Sequence, residues 1–161
     1  MNIILDMDET LLSGFYINDD LVFIEERPFL DAFFLYIFSR FENVSIWTHA
    51  TTNWFLYCYD RVLKKYLPEG KTFFQVITRD NDFIPLRPNL AKRLKDFYRL
   101  FPNHHKYNTF ILDDNPCTYV HNIKNSIPIK PYSGITWFGG KNVYDSELLN
   151  IIQYLEKHLF C

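Results

Sequence analysis

A chain of 161 residues is long enough for one domain that buries roughly 70% of the surface its unfolded form would expose, and short for a second independent domain. With 48% hydrophobic and 22% charged residues it reads as an ordinary soluble globular chain, which excludes disordered and membrane-spanning classes. A formal net charge of −2 supplies no overall basic field for nucleic acid and leaves only a local basic patch open.

Asn2 to Leu5 is a short apolar run that gives way abruptly to acids, the mark of a buried strand ending at Asp6. Cut short by Asp6 and without a basic flank, it is not expected to be a secretory signal. Leu12 to Ile24 alternates loosely around Asn18, Asp19 and Asp20 and predicts a hairpin that covers a site. Arg27-Pro28 opens a predicted helix through Arg40, with Pro28 near its first turn and an apolar face at Phe29, Phe33, Phe34 and Ile37. Within it, Ala32 to Phe38 is the longest uninterrupted apolar stretch, far too short to span a bilayer.

Val44 to Thr48 predicts a second buried strand, Asn53 to Tyr66 a helix ended by Pro68 and Gly70, and Thr72 to Thr78 a third strand. After a proline-bounded connection from Ile84 to Pro88, the spacing of Leu90, Leu94, Phe97 and Leu100 predicts a helix over Asn89 to Phe101. Thr109 to Leu112 repeats the first strand's pattern and stops at Asp113-Asp114. A short helix near Tyr119, a strand at Ile127 to Ile129 and a last helix from Asp145 to His158 complete the chain. Alternating strands and helices indicate an α/β domain with a mainly parallel sheet and right-handed crossovers. Ligands of such sheets bind at the carboxyl ends of strands, where Asp6, Thr48 and Asp113 all fall.

Those residue types suit phosphoryl transfer. A carboxylate attacking phosphorus forms an acyl-phosphate and splits one hard displacement into two easier steps, and Asp6 is the candidate nucleophile. Asp8, two residues on and facing the same side, can protonate the leaving oxygen and later deprotonate water. Carboxylates facing a phosphate dianion need a cation, and oxygen ligands suit Mg²⁺, for which Asp113 and Asp114 supply further acids. A strand-end hydroxyl, Thr48, and a lysine at a helix start, Lys92, are candidate donors to the phosphoryl oxygens.

Asp6-Met7-Asp8-Glu9-Thr10-Leu11 resembles the first motif of the haloacid dehalogenase superfamily, in the form found in phosphoprotein phosphatases similar to those of the RNA polymerase II C-terminal domain. Arg27-Pro28, Ile46-Trp47-Thr48, Leu112-Asp113-Asp114-Asn115-Pro116, Asn125 to Ile129, and Asp145 with Glu147-Leu148-Leu149 agree with it in order, so the resemblance covers nearly the whole chain. It implies a single domain over residues 1–161, a Rossmann-like three-layer sandwich with a small hairpin flap and no large cap domain. It also implies Asp6 as nucleophile and Mg²⁺ ligand, Asp8 as acid and base with its backbone carbonyl on the metal, and Asp114 as a metal ligand. Asp113 would orient metal-bound water or the lysine, Thr48 would hold a phosphate oxygen, and Thr10 would brace the loop. Lys92-Arg93-Leu94 matches the family's Lys-x-Leu pattern, with Lys95 one turn along as the alternative.

Each feature has an ordinary structural explanation as well. Asp113-Asp114 and Thr48 are placed to cap the helices that follow them, His49 to make a local loop contact, and Trp47, Trp54 and Trp137 to pack unless they border a groove. The aromatic content of 19% is that of a core built from Phe and Tyr. Cys58, Cys117 and Cys161 lack any Cys-x-x-Cys spacing; the first two read as core residues, and a reducing compartment, cytoplasmic or nuclear, is expected. The leading expectation is hydrolysis of phosphoserine or phosphothreonine in an extended peptide, with the RNA polymerase II tail as one candidate substrate and no direct nucleic-acid or membrane partner. A small-molecule or nucleic-acid-end phosphatase and a catalytically silent interaction module are the alternatives.

Overall fold

The computed structural model describes residues 1–17, 21–134 and 145–161, so the turn expected at Asn18 to Asp20 and Trp137 lie outside the described residues. The elements in order are β1 (Asn2–Leu5), β2 (Leu12–Ile17), β3 (Leu21–Glu26), α1 (Leu30–Arg40), β4 (Asn43–Trp47) and α2 (Thr52–Cys58). A π-helical turn (Tyr59–Leu63) and α3 (Lys64–Tyr66) continue α2. Then come β5 (Val76–Ile77), a 3-10 turn (Pro88–Leu90), α4 (Leu94–Leu100), β6 (Thr109–Asp113), α5 (Pro116–His121), β7 (Ser126–Pro128) and α6 (Glu147–His158).

Five parallel strands form the central sheet in the order β5-β4-β1-β6-β7, and β2 with β3 makes a separate antiparallel hairpin. Both faces of the sheet are covered, and the alternation of side chains along each strand decides which residue serves which face. Ile3, Leu5, Val44, Ile46 and Leu112 face α1 and α6 through Phe33, Phe34, Ile37, Leu148, Ile151 and Leu155. Ile4, Trp47 and Ile111 face the other way, onto Leu94 and Phe97 of α4. The layers are therefore helix, sheet, helix, with β1 in the middle. Asn2 ties the amino ends of three strands together, donating to Thr109 Oγ1 at 3.3 Å and accepting from Asn43 Nδ2 at 2.9 Å. No helix among the described residues is long and apolar enough to cross a membrane.

Several boundaries differ from expectation. Pro28 lies outside α1, because Phe29 adopts a left-handed conformation (φ 67°) and turns the chain before Leu30. The third strand shrinks to Val76–Ile77. The helix expected from Asn89 starts only at Leu94: Asn89 and Leu90 have φ of 56° and 55°, and Ala91 to Arg93 run outside any helix. Lys92 thus sits on an extended approach to α4 rather than within it. Cys117 is half-buried rather than a core residue, whereas Cys58 is fully buried.

Candidate active site

In-register pairing of Leu5 with Ile46 and with Leu112 brings the carboxyl ends of β1, β4 and β6 level. Asp6, Thr48 and the pair Asp113-Asp114 therefore meet at one edge, lining a cleft of about 870 Å³ with Asp8 and Lys92. Met7 is fully buried between two acids that face the cleft, as a strand's alternation requires. All six residues expected to carry chemistry are brought together.

The loop after β1 is held by its own backbone and by Arg27. Thr10 and Leu11 donate their backbone N–H to Met7 O at 3.2 and 2.9 Å, and Glu9, at φ 61°, donates to Leu12 O at 2.8 Å. Arg27 is 1% exposed, yet each of its N–H donors finds an acceptor. Nη1 donates to Thr10 O and Glu9 O at 3.1 and 3.4 Å, and Nη2 to Lys130 O at 2.7 Å, while Nε and Nη2 fork onto Asp145 at 3.0 Å each. A buried guanidinium is tolerated only when satisfied in this way, and it fixes the loop that carries Asp6 and Asp8.

Both carboxylate oxygens of Asp6 are engaged, Oδ1 accepting from Lys92 Nζ at 2.5 Å and Oδ2 from Thr10 Oγ1 at 2.8 Å. Lys92 Nζ also donates to Asp113 Oδ2 at 2.9 Å, which accepts from Thr118 Oγ1 at 3.2 Å, and Asp113 Oδ1 accepts from the Asn115 N–H at 2.9 Å. Burial works against the Lys92 ammonium, but Asp6 and Asp113 outweigh it and hold its pKa above the usual lysine range. Burial pushes Asp6 up to about 6, with Lys92 pulling the other way and Asp114 adding repulsion. Asp113 and Asp114 are raised as well, each chiefly by burial.

Three carboxylates against one ammonium leave an excess of negative charge. Ligand oxygens of Asp6, Asp113 and Asp114 lie within 4.8 Å of one another, an oxygen-only set that fits a hard divalent cation. Asp8 is half-buried, and its Oδ1 accepts from Trp54 Nε1 at 2.8 Å. Burial raises its pKa, with Trp54, Lys92 and Thr48 opposing.

The capping roles fall to other residues. Thr51 Oγ1 accepts from Trp54 N at the start of α2, and Asn115 Oδ1 accepts from Cys117 N at the start of α5. Thr48 and the acidic pair are left to face the cleft. His49 lines the cleft and, instead of the local loop contact expected of it, makes a long-range one, with Nε2 2.8 Å from Leu90 O, 41 positions on. Lys95 is exposed and lines a different hollow, so Lys92 is the lysine at this site.

Sequence reasoning missed Trp54 as the partner of Asp8, and it missed Arg79, an exposed cation at the cleft whose Nε donates to His49 O at 2.8 Å. Arg79 directly follows the predicted strand Thr72 to Thr78, so the strand-end rule that found Asp6 was a usable signal. The Arg27–Asp145 pair spans 118 positions, and nothing local announces it.

A parallel sheet offering acids from two strand ends, a threonine from a third and a buried lysine between them defines a haloacid dehalogenase-like α/β protein. The family model described as NLI interacting factor-like phosphatase matches residues 1–160, and the chain belongs to that family. It is 26% identical over 183 residues to putative CTD phosphatase-like protein 355R of Invertebrate iridescent virus 6, covering 98% of both chains. It is 27% identical over 169 residues to the probable C-terminal domain small phosphatase of Dictyostelium discoideum, covering 96% of this chain and 49% of that protein. Among solved structures, the fission yeast RNA polymerase II CTD phosphatase Fcp1 bound to beryllium fluoride matches 99% of this chain and 50% of its own, with a TM-score of 0.59 and 22% identity. A second Fcp1 structure matches with a TM-score of 0.61 at the same identity. The chain thus spans about half the length of the Dictyostelium relative and of the Fcp1 chains, and nearly all of the viral one.

Proposed function

We propose that residues 1–161 form a single Mg²⁺-dependent catalytic domain that hydrolyses phosphoserine or phosphothreonine in an extended peptide, through a phosphorylated Asp6. The observation that carries this reading is the setting of Asp6 at the end of the central strand, oriented by Lys92 and Thr10, with Asp8 beside it in the cleft.

An Asp6 oxygen attacks phosphorus, and the bond from phosphorus to the serine or threonine oxygen breaks. Asp8, whose raised pKa favours its protonated form, gives its proton to that leaving oxygen. In the second step Asp8 takes a proton from water, which attacks the aspartyl-phosphate and frees Asp6. Lys92 has three N–H donors, two of them on Asp6 and Asp113, and the third is available to a phosphoryl oxygen beside the Thr48 hydroxyl. Mg²⁺ would be held by Asp6, Asp114 and the Asp8 carbonyl, and supplies the positive charge that lets a phosphate dianion approach these acids. Asp113, whose oxygens already accept from Lys92, Thr118 and Asn115, fits a supporting place behind that set.

Among the described residues the only sheet besides the central one is the β2–β3 hairpin, and the open cleft beside it suits a peptide. The names of the relatives make the RNA polymerase II tail the first substrate to try. Three free thiols suit a cytoplasmic or nuclear setting. Phosphate release from phosphopeptides, sugar phosphates and nucleotides, with and without Mg²⁺, tests the reading. Asp6→Asn and Asp8→Asn are each expected to lose about 10³-fold or more, and chelation of the metal to abolish turnover. Equal rates for wild type and Asp6→Asn overturn the mechanism; sugar phosphates or nucleotides cleaved as fast as phosphopeptides overturn the peptide reading.

A further inference from the structure

Beside α4 lies a second hollow of about 480 Å³ that shares no lining residue with the cleft. Arg93 and Lys95 face it from the start of α4, His105 and Lys106 from the turn before β6, and His121 and Asn122 from the end of α5. Three cations and two imidazoles converge there in a chain whose net charge is −2, and no acid lines the hollow. Arg93, Lys95 and Lys106 pair with no carboxylate among the described residues, as is also true of Arg61, Lys71 and Lys124, and what sets the three apart is that they share one hollow without an acid. Arg93 Nε is moreover buried without an acceptor, which leaves a charged donor unanswered at the wall of the hollow.

We propose that this hollow is a second phosphate-binding site, separate from the catalytic cleft, for a phosphoryl group carried by a phosphorylated side chain or present as free phosphate. A guanidinium fork, two ammonium groups and two imidazoles match a dianion better than a single carboxylate. The space exceeds what one phosphate fills and leaves room for the residue that carries it. Asn122 connects the hollow to the catalytic lysine: its Nδ2 donates to Lys92 O at 2.7 Å, and its Oδ1 accepts from Leu94 N at 2.9 Å. Asn122 Nδ2 also donates to Thr118 O at 2.8 Å, so it offers the ligand no donor of its own. A ligand on Arg93, the residue after Lys92, bears on the short extended segment that aims Lys92. The proposal does not depend on hydrolysis at Asp6.

The five histidines provide separate reporters, His105 and His121 for the hollow and His49 for the cleft. Inorganic phosphate is titrated into the full chain while the histidine ring NMR signals are followed, with chloride at matched ionic strength as control. Saturable shifts of His105 and His121 are expected. Each of Arg93→Gln, Lys95→Gln and Lys106→Gln should weaken them roughly tenfold while the His49 response stays. Lys95 and Lys106 are exposed, so their variants keep the test valid if Arg93→Gln folds poorly. A phosphoserine peptide that saturates these signals more tightly than phosphate identifies a phosphorylated side chain as the ligand, and equal affinity identifies free phosphate. Shifts no larger than those of chloride, or shifts unchanged in the three variants, overturn the proposal, as does tighter saturation by a single-stranded oligonucleotide than by either phosphate source.

Discussion

Asp8 owes its orientation to one indole. Trp54 Nε1 donates to Asp8 Oδ1 at 2.8 Å, and the Trp54 ring lies so close over Gly14 of the hairpin that a Cβ there would collide with it. The same indole stacks on Tyr57 at 5.7 Å between centroids. Glycine is required at position 14 for close approach, and through Trp54 the hairpin is coupled to the residue proposed as acid and base. A hydrogen bond to a carboxylate is worth about 1.5–3 kcal/mol, so releasing Asp8 should lower kcat by roughly tenfold or more. Trp54→Phe keeps an aromatic ring, though a smaller one, and removes the donor; Gly14→Ala keeps the donor and displaces it. Steady-state kinetics should show both lowering kcat with little change in KM, and the double variant should be scarcely worse than either alone. A kcat unchanged in Trp54→Phe would remove the indole from the mechanism.

At the scale of elements, the turn after α4 carries a histidine that the site does not use. His104 is 2% exposed, neither ring nitrogen has a hydrogen-bond partner, and the ring stacks on Phe74 at 5.1 Å and meets Phe97 edge-on at 5.2 Å. Burial lowers its pKa, with Glu42 opposing and His105 adding to the fall. The folded state therefore binds fewer protons at this ring than the unfolded state does. Stability from this site is whole above the ordinary histidine value of 6.5 and is lost as the pH falls below it toward the lowered folded value. Urea unfolding followed from neutral to mildly acid pH should show the wild type losing stability faster than His104→Leu; parallel losses would refute the assignment. The same region shows why helix spacing misleads. Leu90, Leu94, Phe97 and Leu100 keep a helical period, but Asn89 and Leu90 are left-handed, and the chain stays extended until it has delivered Lys92 between Asp6 and Asp113. Periodicity reports which side chains are apolar and is silent on where a tertiary ion pair pulls the backbone out of a helix.

Over the whole molecule, what was legible in the sequence was what the sheet imposes on single segments. β1 and β6 are read from apolar runs that stop at acids, because a central parallel strand is buried on both faces and ends where the ligand begins. Arg27 and Asp145 stood out only as segments of the family resemblance and Trp54 only as a groove candidate. The partners of Trp54, Arg27 and Asn122 were not legible, since each lies far off in the chain. Arg27 is the extreme case, joining the loop after β1 and Lys130 to Asp145 just before α6, with its guanidinium 5.4 Å from the centre of the Tyr132 ring. Removing one partner of such a buried pair leaves the other charge uncompensated, so Arg27→Gln should cost about 3–5 kcal/mol. Asp145→Asn should cost less, because its amide oxygen still accepts from Arg27, which keeps the Glu9, Thr10 and Lys130 carbonyls, whereas Arg27→Gln gives up contacts to all four residues. If residues 1–161 fold as one unit, circular dichroism and tryptophan fluorescence will report a single coincident urea transition in all variants, shifted in midpoint with unchanged slope. The double variant will fall short of the summed costs by up to about 3 kcal/mol, which measures the coupling. Two separated transitions in Arg27→Gln would show instead that the clamp joins parts able to fold apart, and would overturn the single-domain reading.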